Sequence, residues 1–137
     1  MDFMNFSIAK KLEEKGFTLP KSEIIGKFDS DGLFHSQLYI NFTETMDLDE
    51  IIAPTIPQVL KWLRDERYFH VSPDLICDYS MDDDGNICEE WTYWSYSIHH
   101  IIDGPIYRDY NQFDHIEYRS WEAAALEGIT HVLDNLI

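Results

Sequence analysis

The chain has 137 residues and a mass of 16.2 kDa, which is the size of one domain. With 45% hydrophobic and 15% aromatic residues it is too apolar for intrinsic disorder, and no apolar run reaches the roughly 18 residues of a membrane span. The start at Met1-Asp2 lacks the charged and apolar segments of a secretory signal. We therefore expect a cytoplasmic protein in which residues 1–137 form a single domain.

The distribution of charge argues against two classes of partner. Ten Lys and Arg face 26 Asp and Glu, a net charge of −16. Residues 1–28 hold five Lys and four acidic residues, whereas residues 29–137 hold five basic and 22 acidic residues. Nucleic acid and anionic membranes are bound through clustered basic side chains, so we expect no direct binding to either. A solvated acidic surface is the plain interpretation, and a nucleic-acid mimic that blocks a basic partner is a minor alternative.

Two cysteines, Cys77 and Cys88, flank a turn in the middle of the sequence. A turn at residues 82–86 places Cys88 beside Met81 and several residues from Cys77, too far for a disulfide. We expect both thiols to be reduced and partly buried.

The first third of the chain predicts a helix followed by a hairpin. Ile8 and Leu12 share one helical face, Asn5 or Ser7 can cap the helix, and Gly16 can end it. Apolar and polar residues alternate over residues 34–42, which predicts a half-buried strand. The turn residues 29–32 precede it, and residues 24–28 are the expected partner strand.

The second helix is the most strongly marked element. Thr55 and Gln58 form a capping box, Pro57 suits the first turn, and an apolar stripe follows. A short strand over residues 67–71, broken at Ser72-Pro73, precedes an alternating strand over residues 75–81. The chain then turns at residues 82–86 and returns in a long aromatic strand from Ile87 to about Ile101.

The last part of the chain predicts a short strand at residues 114–118 and a closing helix capped by Ser120. Its apolar stripe is formed by Leu126, Ile129, Leu133 and Leu136, with Trp121, Ala125, Gly128 and Val132 beside it. The predicted fold is α+β, an antiparallel sheet of about four strands, with a further N-terminal hairpin as an option. Two or three helices pack mainly on one face.

Three segments of the sequence form a distinctive set. They are the block Ala53-Pro54-Thr55-x-x-Gln58-Val59-x-Lys61-Trp62-Leu63-Arg64, the helix end Glu14-Lys15-Gly16-Phe17, and Tyr118-x-Ser120-x-Glu122-Ala123 with the following Gly128-Ile129. Together they resemble a family of small uncharacterised bacterial and prophage-borne proteins. The resemblance implies an α+β fold with a β-rich middle and a closing amphipathic helix. It implies an accessory protein of a phage or mobile element, with no known activity, cofactor or catalytic residue to carry over.

Patterns typical of metal sites are incomplete. Aligning Gly85 with the glycine of a calcium-binding EF-hand loop puts Ser80 at the first ligand position and Trp91 at the last, so both key carboxylates are missing. His99 and His100 are adjacent, so in a strand they point to opposite faces and do not share a metal easily. We expect no metal and no cofactor.

The aromatic return strand holds the candidate site. Trp94, Tyr96 and Ile98 share the even face, and Trp91 and Tyr93 share the odd face with Ser95 and Ser97. Either the N-terminal segment covers Trp91 and Tyr93, or they form an exposed patch that binds a protein partner or a second copy. A small apolar ligand between sheet and helices is another option. We expect a non-catalytic accessory or protein-interaction module, and a small hydrolase-like enzyme using paired carboxylates is the alternative.

Overall fold

The computed structural model describes residues 2–36, 49–102, 106–109 and 117–137. In chain order its elements are α1 (Phe6–Glu14), β1 (Gly26–Phe28), β2 (Phe34–Ser36), β3 (Ile51–Ile52), α2 (Ile56–Arg67), β4 (Phe69–Met81), β5 (Ile87–Ile102), β6 (Ile106–Asp109) and α3 (Trp121–His131). A 3-10 helix (Lys21–Glu23) precedes β1, and π-helical turns (Val132–Leu136) follow α3. Three helices with antiparallel sheets confirm the predicted α+β class.

The described strands form two sheets of three, in the orders β2-β1-β3 and β4-β5-β6. The optional N-terminal hairpin is present as β1 and β2, but it takes β3 as a third strand and forms a sheet of its own. β3 has only two residues, too few for an alternation to be read in the sequence. Most of the strands predicted at residues 34–42 and 114–118 lies outside the described residues, although Tyr118 forms an isolated bridge with Trp94.

Side chains cap each helix where the sequence predicts. The Asn5 carboxamide oxygen accepts the Ile8 N–H at 2.9 Å, and the Ser120 hydroxyl accepts the Ala123 N–H at 3.1 Å. Thr55 and Gln58 bond reciprocally as a capping box. These bonds satisfy N–H groups that have no partner within the helix, so they fix where each helix begins.

The chain divides into two compact units. Unit 1 comprises Met1–Trp62 and Thr130–Ile137. Phe17 packs edge-on against Trp62, with ring centroids 5.3 Å apart. The last residues are held to α1 by an ion pair between Lys11 and Asp134 at 2.8 Å. Long-range contacts within this unit therefore join the two ends of the chain.

Unit 2 comprises Leu63–Ile129 and contains the β4–β5 hairpin. Among the described residues, its buried apolar side chains on the sheet and on α3 are Phe69, Val71, Tyr96, Ile98, Ala124, Ala125 and Ile129. A Cβ built on Gly128 would lie 2.5 Å from Val71 Cγ1 and 3.2 Å from Tyr96 Cδ2. The absence of a side chain at Gly128 thus lets α3 lie close to the sheet, and we call the covered face the inner face.

The prediction that the single domain spans residues 1–137 stays a prediction.

Two local expectations differ from the structure. β4 runs unbroken through Ser72 and Pro73, because it is an edge strand among the described strands and an edge tolerates a residue without an N–H. On α3 the buried face is centred on Ala125, Gly128 and Ile129, while Leu126 is half-buried. In the described part of the chain, no helix is long and apolar enough to cross a membrane.

Candidate interaction surface

The β4–β5 hairpin extends well beyond the helix that covers it. β4 has 13 residues and spans about 43 Å, whereas α3 has 11 residues and spans about 16 Å. α3 packs on the hairpin near Val71 and Tyr96. We call the far half, residues 75–93, the arm. Its apolar side chains are the candidate interaction surface.

The loop at the tip of the arm is held by Asp82. Its carboxylate oxygen Oδ1 accepts the N–H groups of Asp84 and Asn86, both at 2.9 Å, and Gly85 has a φ angle of 83°. Because backbone donors engage this carboxylate, the loop geometry is explained by a turn. Among the described residues no group of three or more His, Cys, Asp or Glu is placed to hold a metal ion. The expectation of no specific calcium site stays a prediction.

Trp91 and Tyr93 lie on the outer face, which is opposite the face that α3 covers. In the register of the hairpin Trp91 pairs with Asp78, and Tyr93 pairs with Ile76. The indole of Trp91 is 37% exposed and its N–H donates to the Glu117 carboxylate at 3.2 Å, while Tyr93 is half-buried. The predicted parity of β5 is therefore confirmed, with Tyr96 and Ile98 buried on the inner face.

A network of hydrogen-bonded polar side chains occupies the outer face near the base of the hairpin. The hydroxyls of Ser72 and Ser97 each donate to the Asp74 carboxylate at 3.1 Å, and His99 Nε2 lies 3.2 Å from Ser97 Oγ. His100 lies on the inner face, where its ring stacks on Phe69 with centroids 4.2 Å apart. The two adjacent histidines therefore point to opposite faces, as predicted.

The inner face of the arm carries apolar residues that sequence reasoning did not assign to a site. Leu75, Tyr79 and Met81 are odd-numbered residues of β4, and Met81 pairs with Ile87. Their exposed fractions are 54% for each β4 residue and 55% for Ile87. We call these four residues the arm stripe. The one sequence signal was the predicted return strand from Ile87 to about Ile101, which is longer than the predicted closing helix.

The two cysteines also lie on the arm. Both are free, as expected, but both are exposed rather than partly buried. Cys77 pairs with Thr92 on the inner face beyond α3, and Cys88 lies at the bulge that follows the loop. A depression of about 440 Å³ is lined by Cys77, Asp78, Tyr79, Glu90, Trp91 and Thr92. The arm thus offers an uneven apolar surface with carboxylates around it.

Comparison of the chain with protein-family models, curated proteins and solved structures gives no match.

Proposed function

We propose that this protein is a non-catalytic interaction module whose arm binds a partner protein with a positively charged surface. The observation that carries the proposal is the exposure of large apolar side chains on both faces of one hairpin, with Trp91 on the outer face and the arm stripe on the inner face. Contiguous exposed apolar surface on a folded protein is typical of binding sites. Aromatic residues such as Trp91 contribute strongly to such interfaces.

Charge favours a basic partner over a second copy of this chain. Residues 69–102 contain seven acidic residues and no Lys or Arg. Two arms packed together would bring like charges into a desolvated interface, which is destabilising. A basic surface would instead gain favourable electrostatic steering toward the arm.

The alternative of a carboxylate-dependent hydrolase has weaker support. On the outer face the Ser72 and Ser97 hydroxyls both donate to Asp74, so the observed side-chain partners of this carboxylate are hydroxyl groups rather than the second carboxylate that a paired acid and base would supply. The carboxyl of Asp29 has a pKa below its ordinary value, mainly because it bonds to His35, whereas a general acid needs a raised pKa.

A nucleic-acid mimic is the minor alternative, since it too would bind a basic partner. Such a mimic needs an array of carboxylates and no apolar contact. The exposed arm stripe therefore favours a mixed apolar and acidic interface.

The proposal also covers the cellular compartment of the protein and its origin in a phage or mobile element. Exposed free thiols at Cys77 and Cys88 persist in reducing compartments, which supports the cytoplasm. The resemblance of residues 53–64 and 118–129 to prophage-borne proteins supports an accessory role in a phage or mobile element.

Site-specific photocrosslinking tests the proposal. A photoreactive phenylalanine analogue at Trp91 or Tyr93, introduced in the cells that produce the protein, should form an adduct with a defined protein. The same analogue at Leu33, which is 60% exposed and lies in unit 1, is the matched control. The purified partner should then bind the protein, and Trp91→Ala should weaken binding by about tenfold or more. Adducts absent at both arm positions, or the same adduct from Leu33, would refute the interaction.

A further inference from the structure

The arm stripe continues the face that α3 covers at the base of the hairpin. Val71 lies beneath Gly128 of α3, and Leu75, Tyr79 and Met81 are on the same face of β4, because each is an even number of residues further along the strand. Alternate residues of a strand project to one face. The buried inner face therefore passes directly into an exposed apolar row.

This row has the length of a short helix. From Leu75 to Met81 a strand rises about 20 Å, which equals the length of a helix of about 14 residues. A sheet face that is apolar is normally covered by a packed layer, and at the base of this sheet that layer is a helix. Edge pairing with another strand would satisfy backbone groups but would leave these side chains uncovered.

Acidic groups lie beside the stripe and at its outer end. Glu90 pairs with Tyr79 and therefore shares its face, and Asp82, Asp83 and Asp84 lie in the loop at the tip. No Lys or Arg occurs in residues 69–102 to neutralise them. An occupant with apolar residues on one side and basic residues along its flanks fits both features.

We infer that the arm stripe binds a Lys- or Arg-rich amphipathic helix of the partner protein. This helix would cover the inner face of the arm in the same way that α3 covers the inner face at the base of the hairpin. This inference rests on the proposed function and names the partner's binding element. Helices that dock in this way present apolar anchors at positions i, i+3, i+4 and i+7.

Two synthetic peptides of equal composition test this inference on the full chain. Both have about 14 residues of Leu and Lys only, one with leucines spaced for a helical face and the other with strict alternation. A third peptide replaces every Lys of the helical design by Glu. Binding is measured by fluorescence anisotropy, and helix formation by circular dichroism.

The helical Lys peptide should bind about tenfold more tightly than either other peptide and should gain helicity on binding. Met81→Ser and Tyr79→Ser should each weaken its binding by about fivefold or more, since both residues are more than half exposed and their loss leaves the fold intact. Leu33→Ser, at a leucine of unit 1 that is 60% exposed, should leave binding unchanged.

Equal binding of the two Lys peptides, tighter binding of the alternating one, or no effect of Met81→Ser would overturn the inference. So would a dimer seen by sedimentation at micromolar concentration that Met81→Ser dissolves, because the occupant would then be a second copy. These failures are separable from failure of the proposed function, since photocrosslinks from Trp91 report a partner whatever its secondary structure.

Discussion

Asp29 and Asp82 close two separate hairpins with the same hydrogen bonds. In each loop the Oδ1 oxygen accepts the backbone N–H groups two and four residues further along, at 2.9 to 3.0 Å. A glycine three residues after each aspartate has a positive φ angle, 81° in one loop and 83° in the other. The second carboxylate oxygen of Asp29 also contacts His35 Nε2 at 2.9 Å. One local motif, D-x-D-G, thus forms the tight turn in both sheets.

The contact between Asp29 and His35 makes the stability of the fold depend on pH. Its pKa is lowered first by the hydrogen bond to His35 and then by the N–H of Leu33. A carboxyl whose pKa is lower in the folded state stabilises the fold above its unfolded value, and that stabilisation is lost as pH falls through the folded value. The urea midpoint of Asp29→Asn should therefore lie below that of the wild type at neutral pH, and the two should converge in acid.

Titration of Asp29 by NMR, with His35→Ala as the comparison, checks the cause. Loss of the imidazole should raise the Asp29 pKa toward its ordinary value. An unchanged pKa would show that the backbone donors alone hold the carboxyl ionised.

Trp91→Ala and Trp94→Ala should differ in their cost to stability. Trp91 is 37% exposed on the outer face, whereas Trp94 is half-buried on the inner face beside the bridge to Tyr118. We expect about 1 kcal/mol for Trp91→Ala and about 3 kcal/mol for Trp94→Ala in the free energy of unfolding. Equal and large losses in urea denaturation would mean that Trp91 is a core residue and would count against an interfacial role.

Gly128→Ala should destabilise the fold by about 1 to 3 kcal/mol through overpacking. The added methyl would meet Val71 and Tyr96 at distances that require the helix or the sheet to move. The exposed neighbour Glu127→Ala is the control and should change stability by less than about 0.5 kcal/mol. In a double-mutant cycle with Val71→Ala the two effects should not add. Simple additivity would contradict a direct contact.

Tyr68→Gly should leave the protein as stable as before or more stable by up to about 1 kcal/mol. Tyr68 joins α2 to β4 with a φ angle of 63°, a left-handed conformation that favours glycine, and its ring is 58% exposed. Tyr68→Ala keeps the left-handed strain and should not gain stability. A marked loss for the glycine variant would mean that the tyrosine ring makes a contact that outweighs the strain.

Mobility-shift assays with duplex DNA at low salt should show no complex. The chain carries a net charge of −16, and residues 29–137 hold only five basic residues. Phosphate binding needs clusters of such side chains. A shift at micromolar protein that disappears with added salt would refute this expectation.

Features set by neighbouring residues were predictable from the sequence. The caps Asn5, Thr55 and Ser120 act within three residues, and the parity of β5 follows from strand geometry alone. Pairing between distant segments was not predictable in the same way. β3 joins β1 across more than 20 residues, and Pro73 is tolerated because of the edge position of β4.

The candidate site was predictable in part. Parity placed Trp91 and Tyr93 on the outer face, and the structure has them there. The arm stripe was missed because alternation indicates which residues share a face and does not indicate how far along a strand the covering helix extends. The exposure of Cys77 was missed for the same reason. Cys77 lies on the inner face of the sheet, but beyond the part that α3 covers.

During synthesis the residues of unit 2 leave the ribosome before the last residues of unit 1. Residues 63–129 of unit 2 are contiguous, whereas unit 1 needs both residues 1–62 and residues 130–137. Its ion pair between Lys11 and Asp134 joins positions 123 residues apart. Contacts of such high sequence separation form late, because the loop between them must first close. Translation therefore delivers every residue of unit 2 before unit 1 is complete. Lys11 of α1 can form its ion pair only after Asp134 has been synthesised.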